Sequence, residues 1–168
     1  MDVGILPWEA WVRGTWLSHF ILGHAEAWPV LETLHYFGLS MMLGTIGLFD
    51  LRVLGFAKPV PVIALHRLVP FGVAGFALNL ATGICFFFGY PDQYAYNNAF
   101  RLKLALMALA GANIALFYGT VFRALKVVPA GAEAPAAAKL MTAVSLVCWV
   151  SVLICGRLLT FFRPPFFH

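Results

Sequence analysis

The chain has 168 residues, of which 62% are hydrophobic and only 11% are charged, a balance far from that of soluble proteins. Its formal net charge of +4 comes from basic residues spread over the ends of apolar runs, so we expect no nucleic-acid partner. The lipid bilayer is the expected first partner of such a chain.

An amphipathic segment covers about residues 8–24. Large apolar residues such as Trp8, Trp11 and Trp16 alternate there with polar ones. This pattern is typical of a helix that lies in the lipid headgroup layer.

Four long apolar runs follow, at about 29–50, 65–88, 100–123 and 139–161. Each is close to the roughly 20 residues that a helix needs to cross a bilayer. Pro29 is predicted to begin the first span, because proline suits a first helical turn. The predicted fold is all-α: a single integral membrane domain over 1–168, formed by a four-helix bundle with an N-terminal amphipathic interfacial helix.

The distribution of basic residues predicts the topology. Most of those near short loops fall on one side of the predicted bundle: Arg52, Lys58, Arg67, Arg123, Lys126 and Lys139. The positive-inside rule assigns this side to the cytoplasm, and an even number of spans then places both termini outside.

Small residues predict where the spans pack closely. Gly111, Ala115 and Gly119 recur every fourth residue on the third span, and the second span has Gly72, Gly75 and Gly83. Such spacing lets a neighbouring backbone approach within a membrane.

Glu32 and His35 are the main candidate site residues, because polar groups inside lipid are costly unless they bind something. Their i, i+3 spacing puts both on one helix face, which Gly38 and Met42 continue toward the other helices. His35 lies roughly 9 Å along the axis from Pro29, at about 1.5 Å per residue. It is either a hydrogen-bonding residue between helices or a ligand.

His19 and His24 fall on the same outer side as His35. Imidazole suits copper, iron and haem, and the Glu32 carboxylate would orient a ring or complete a hard-metal site. The alternative is that His19 and His24 only contact headgroups beside the tryptophans. His66 is not expected to share a haem with His35, because the first span descends about 21 Å from His35 before the chain returns.

Three further cations lie near the predicted outer side. Arg157 is expected to neutralise Glu32, extend outward or hold a haem propionate, and Arg101 is a second propionate candidate. Lys103 is expected to extend outward to the interface.

Several short sequences resemble a family of small, uncharacterised bacterial four-helix membrane proteins. They are His35 to Gly44, Phe49 to Gly55, Arg67 to Pro70, Ala81 to Gly83 and Asn98 to Leu104, with Asp50-Leu51-Arg52 the most specific. The resemblance implies a bacterial inner membrane, with both termini in the periplasm. Asp50 and Arg52 are expected to form a local ion pair that closes the first span.

More distantly, the first span is similar to that of membrane b-type cytochromes and of the copper-resistance membrane protein D. These resemblances imply haem b or, alternatively, a copper or iron ion. Our leading hypothesis is an electron-transfer protein without a substrate of its own, in which His35 is the principal ligand. The alternative is a non-catalytic accessory or assembly subunit, docked in a homo-oligomer or a larger membrane complex.

Overall fold

The computed structural model describes residues 6–162, and this part of the chain is helical with no strand. The helices are α1 (Pro7–Arg13), α2 (Trp16–Gly23), α3 (Ala27–Leu54), α4 (Val62–His66), α5 (Val69–Gly89), α6 (Pro91–Ala95), α7 (Asn98–Thr120), α8 (Phe122–Leu125) and α9 (Ala136–Leu158). Four stretches are long and apolar enough to cross a membrane: Ala27–Leu54, Val62–Gly89, Asn98–Thr120 and Ala136–Leu158. The chain is a multi-pass membrane protein with an all-α four-helix bundle, as the sequence predicts.

Two predicted boundaries need correction. The amphipathic segment is two helices rather than one, because the chain bends after Gly14 and the Thr15 side chain accepts a hydrogen bond from the Ser18 amide to begin α2. The first span begins at Ala27 rather than at Pro29. Proline is tolerated there because amides in a first turn have no helical partner.

The four long helices do not contact one another equally. α3 packs mainly against α5, and α7 packs mainly against α9, while α3 and α9 join the two pairs. A cluster of buried side chains fills the centre between them: Met42, Ala110, Cys148, Trp149 and Val152.

α3 and α5 approach closely at two glycines. A Cβ on Gly38 would lie 2.8 Å from the Gly75 carbonyl oxygen, and a Cβ on Gly75 would lie 2.6 Å from that of Gly38. A Cβ on Gly72 would likewise meet Thr45 Oγ1 at 2.6 Å. The packing predicted for Gly72 and Gly75 is confirmed, with Gly38 as the matching residue on α3. The same prediction is wrong for Gly83, because an added Cβ there would meet no atom of residues 6–162 within 4 Å.

The glycine spacing on α7 does not mark a contact among residues 6–162. Gly111 and Gly119 have no atom within 4 Å of an added Cβ, and Ala115 is exposed. The prediction that these residues admit a neighbouring helix of the same bundle is therefore wrong. The face of α7 that packs on α9 contains Ala110 and Phe117 instead.

One end of the bundle, here the capped end, is covered by α1, α2 and α6. The Arg13 guanidinium contacts the Asp92 carboxylate at 2.6 Å and joins α1 to α6. The buried Asn97 side chain donates hydrogen bonds to the carbonyl oxygens of Leu159 and Phe162, at 3.1 and 2.7 Å. These contacts tie the N-terminal helices and the end of α9 to the loop before α7.

The opposite end, here the loop end, is organised by Arg52. α3 ends at Leu54 and is followed by Gly55, whose φ of 111° lies in the left-handed region that favours glycine. The Arg52 side chain is 1% exposed and donates to the carbonyl oxygens of Val60, at 2.5 Å, and Lys58, at 2.9 Å. Arg52 therefore holds the loop that turns the chain back into α4.

The expected ion pair between Asp50 and Arg52 is not among the salt bridges of residues 6–162, so this prediction is wrong. Two residues apart on a helix, the side chains point in different directions. The loop end instead has an ion-pair network in which Glu133 contacts Lys58 at 2.6 Å and Lys139 at 2.5 Å. Hydrogen bonds from Lys139 and then Lys58 lower the pKa of Glu133 to about 2.

Candidate functional site at the capped end

His35 lies in the third turn of α3 and faces α5. Its Nδ1 atom is 2.7 Å from the Thr82 hydroxyl, and its ring meets the Phe86 ring edge-on, with 5.4 Å between centroids. Thr82 and Phe86 are four residues apart on α5, so they occupy one face. The side chain of His35 is half-buried between these two helices.

The Thr82 hydroxyl has one proton and three possible acceptors, of which Nδ1 of His35 is one. Thr82 donates its single hydroxyl proton to the carbonyl oxygens of its own helix, 2.8 Å from Leu78 and 3.2 Å from Asn79. In the tautomer with the ring proton on Nε2, Thr82 donates to Nδ1 instead; with the ring proton on Nδ1, the hydroxyl oxygen accepts from His35. In the neutral ring, the lone pair of Nε2 is then free to bind a ligand.

The face predicted from Glu32 to Met42 turns inward only in part. Gly38 and Met42 are buried and His35 is half-buried, but Glu32 is exposed and accepts a hydrogen bond from Trp28 Nε1 at 3.0 Å. Glu32 lies on the exposed side of α3, whereas Trp28, one turn closer to the start of the helix, still packs on the Phe86 ring of α5, with 4.9 Å between centroids. Its carboxylate thus partners a tryptophan and not the His35 ring.

A tyrosine of α6 lies close to Glu32. Burial and, to a smaller extent, the negative charge of Glu32 raise the pKa of Tyr94 to about 12. On the neighbouring α1, the Glu9 carboxylate accepts a hydrogen bond from Tyr96, which raises the pKa of that phenol. The capped end therefore has two carboxylates close to neutral phenols.

His19 and His24 are both exposed beside the bundle, on α2 and at its end. Their Nδ1 atoms lie 3.0 Å and 2.9 Å from the carbonyl oxygens of Thr15 and Phe20 one turn earlier. A carbonyl oxygen only accepts, so Nδ1 is protonated in each ring and Nε2 is free. His19 and His24 therefore both present Nε2, but both lie outside the bundle.

A cavity of about 330 Å³ lies between α2, the start of α3 and α5. Its walls are almost entirely apolar and its lining residues are Leu17, Phe20, Ile21, His24, Glu26, Ala27, Val30, Leu31 and Cys85. His24 belongs to this lining and His35 does not. The structure thus gives the two imidazoles different surroundings.

The two predicted arginines also lie at the capped end, and both are exposed. Arg101 donates from Nε to the Ala95 carbonyl oxygen at 3.1 Å. The Arg157 guanidinium carbon is 5.5 Å from the centre of the Phe161 ring. Neither contact is with Glu32, and both guanidinium groups keep further donors for an anion.

Lys103 of α7 is half-buried, and its side chain lies beside Gly156, two residues before the end of α9. That it extends outward to the interface stays a prediction. Its Nζ atom is 3.7 Å from the position of a Cβ on Gly156, and its charge acts on His35. Glycine at position 156 leaves room for this side chain. The structure therefore adds a positive charge close enough to act on His35.

Within residues 6–162, no three side chains of the types His, Cys, Asp and Glu form a group that could hold a metal ion. Glu32 and His35 share a helix but have different partners, and His19 and His24 belong to the α2 segment. The predicted residues share one end of the molecule, as the sequence predicts. They are not assembled into one cluster.

No protein-family model, no curated protein and no solved structure matches this chain. The resemblances to small bacterial membrane proteins, to b-type cytochromes and to the copper-resistance membrane protein D therefore stay predictions.

Sequence reasoning missed Thr82 and Lys103 as neighbours of His35. Thr82 is one of few polar residues in an otherwise apolar run, and this position alone could have marked it as a candidate hydrogen-bonding residue. Its pairing with His35 depends on how α3 and α5 are rotated about their axes, and the spacing of residues in the sequence does not determine this rotation.

Proposed function

We propose that this protein binds haem b through Nε2 of His35 and transfers electrons at the capped end of the bundle. One observation carries the proposal: the Thr82 hydroxyl is 2.7 Å from Nδ1 of His35, a contact that orients the ring and, in the tautomer with the proton on Nδ1, leaves Nε2 for a ligand. A ligating histidine usually has its other nitrogen held in this way. The protein would then be an electron carrier without a substrate of its own.

Haem b suits these residues better than a bare copper or iron ion. A bare ion needs several ligands from the protein, whereas an axial haem site needs one or two histidines. The charge of Lys103 near His35 disfavours a free cation there, but it favours a propionate. Lys103 joins Arg101 and Arg157 as a candidate anion-binding group, and Glu32 has no ligand role in this arrangement.

A second axial ligand would come from His19 or His24. Each has a free Nε2 atom in the α2 segment, and α2 also packs against α3 and α5. Bringing either ring to His35 requires α2 to move, because both rings are exposed. The proposal places the protein in a bacterial inner membrane with the capped end and both termini on the periplasmic side.

The deciding experiment is a reduced-minus-oxidised visible spectrum of the purified protein, with haem and metal content measured on the same sample. We expect a Soret band with sharp α and β bands, lost in His35→Ala and kept in His66→Ala. His66 is the matched control, because it is a half-buried histidine at the loop end, bonded to the Tyr118 hydroxyl at 3.0 Å. A His35→Ala protein with its full cofactor would overturn the proposal.

A second candidate function is that of an accessory or assembly subunit. Its support is the exposed small-residue face of α7, Gly111, Ala115 and Gly119, which has no partner among residues 6–162. In a membrane such a face favours association with another helix. A colourless, metal-free protein that copurifies with one large partner, and loses that partner in Gly111→Leu or Ala115→Leu, would favour this function over electron transfer.

A further inference from the structure

Asp50 is a carboxyl group buried inside the bundle with one of its two oxygens unpaired. Asp50 is 3% exposed, and its Oδ2 atom has no hydrogen-bond partner among the described residues. The polar side chain that pairs with it is Ser145 of α9, which is also buried. Asp50 therefore lies at the junction of α3 and α9, four residues before the end of α3.

No salt bridge of residues 6–162 includes Asp50. Arg52, the nearest cation in sequence, points to the loop carbonyls of Lys58 and Val60. Lys139 at the start of α9 and Lys58 in the loop both pair with Glu133. These three cations thus have partners other than this carboxyl group.

The helices packed around Asp50 contribute few other titratable groups. His66 of α4 is hydrogen-bonded to Tyr118 of α7. The titratable residues within α5 and the middle of α9 are the thiols Cys85 and Cys148. Within the described part of the chain, Asp50 therefore has a hydroxyl for a partner and no cation.

An ionised carboxylate in such a place costs far more free energy than a neutral acid, because its charge is desolvated and unpaired. A proton is the smallest cation that removes this cost. We propose that Asp50 is an intramembrane proton-binding site, in which the carboxylate binds one proton and the carboxylic acid hydrogen-bonds with Ser145. Binding forms one O–H bond and releases nothing, and loss of the proton restores the carboxylate.

The position of Asp50 indicates the direction of proton exchange. Asp50 is about 6 Å along the helix from Leu54, at 1.5 Å per residue, and the loop end follows. The capped end is more than about 30 Å away by the same measure, since α3 begins at Ala27. We therefore expect protons to enter and leave from the loop end.

Infrared spectroscopy of the whole protein in lipid, with aspartate labelled by ¹³C in the side-chain carboxyl, tests this proposal. The chain has three aspartates, Asp2, Asp50 and Asp92. We expect an isotope-shifted carbonyl stretch of a protonated carboxyl group at neutral pH, which grows as the pH is lowered and disappears as it is raised. The Asp50→Asn variant must lack this band.

A second variant keeps the test decisive if Asp50→Asn does not fold. In Asp2→Asn/Asp92→Asn, Asp50 is the one remaining aspartate, so the band must persist at full intensity. Absence of a protonated band at neutral pH in the wild-type protein would overturn the proposal. A band that disappears in the double variant while Asp50 remains would overturn it equally.

Discussion

Nδ1 of His35 and the Thr82 hydroxyl are hydrogen-bonded over 2.7 Å, and this contact joins α3 to α5 just below the capped end. The two residues are 47 positions apart in the chain. The contact is a polar link beside an interface in which glycine backbones approach each other closely.

Substitutions of Thr82 test whether its hydrogen bond with His35 supports cofactor binding. We expect Thr82→Val to lower cofactor affinity by about 10- to 100-fold, because the His35 ring loses the group that orients it. Thr82→Ser keeps the hydroxyl and should retain affinity. Haem content and the midpoint potential of each purified variant check this result. Thr33→Val is the control, since Thr33 bonds to the Pro29 carbonyl of its own helix. Equal losses in the two valine variants would contradict the prediction.

Because α3 and α5 approach each other closely, we expect one added methyl group at their contact to force the two helices apart. We expect Gly75→Ala to lower the free energy of unfolding by about 1–3 kcal/mol, because the new Cβ overlaps the Gly38 carbonyl oxygen. Gly111→Ala has open space and is the matched control. Thermal unfolding in detergent compares the two variants. A Gly75→Ala protein as stable as Gly111→Ala would refute the observed packing.

The ion-pair network at the loop end predicts a stability change in acid. The pKa of Glu133 falls from 4.5 to about 2 in the folded protein, so its contribution is complete above 4.5 and is lost as the pH falls toward 2. The melting temperature of the wild-type protein should exceed that of Glu133→Gln at neutral pH, and the two should converge across this acidic range. A difference that is independent of pH would show that the Glu133 charge is not involved.

The Asn97 side chain makes two kinds of hydrogen bond at the capped end, so we expect its substitutions to have two separable effects. Its Oδ1 accepts from the Ala99 amide at 2.9 Å and begins α7, while its Nδ2 donates to the end of α9. Asn97→Ala should lose both, including about 1 kcal/mol for the helix cap. Asn97→Asp keeps the acceptor and loses the donor. We therefore expect faster amide hydrogen exchange at residues 159–162 in both variants, but at the start of α7 only in Asn97→Ala.

The spans were predictable because a membrane permits few backbone solutions. Inside lipid every amide needs an internal partner, so apolar runs of sufficient length form helices. The exact helix boundaries were less predictable. The first span begins at Ala27 and not at Pro29, and the predicted N-terminal helix is divided into two at Gly14. Composition marks where lipid begins, and local hydrogen bonds decide where each helix starts.

The sequence by itself determined an all-α membrane protein with four spans and with its candidate histidines toward one end. Only the tertiary structure decided which side chains meet, because neighbours depend on the order and rotation of the helices. Gly75 meets Gly38 whereas Gly111 has open space, and His35 meets Thr82 rather than Glu32. Spacing along one helix defines a face, and the packed bundle determines what that face contacts.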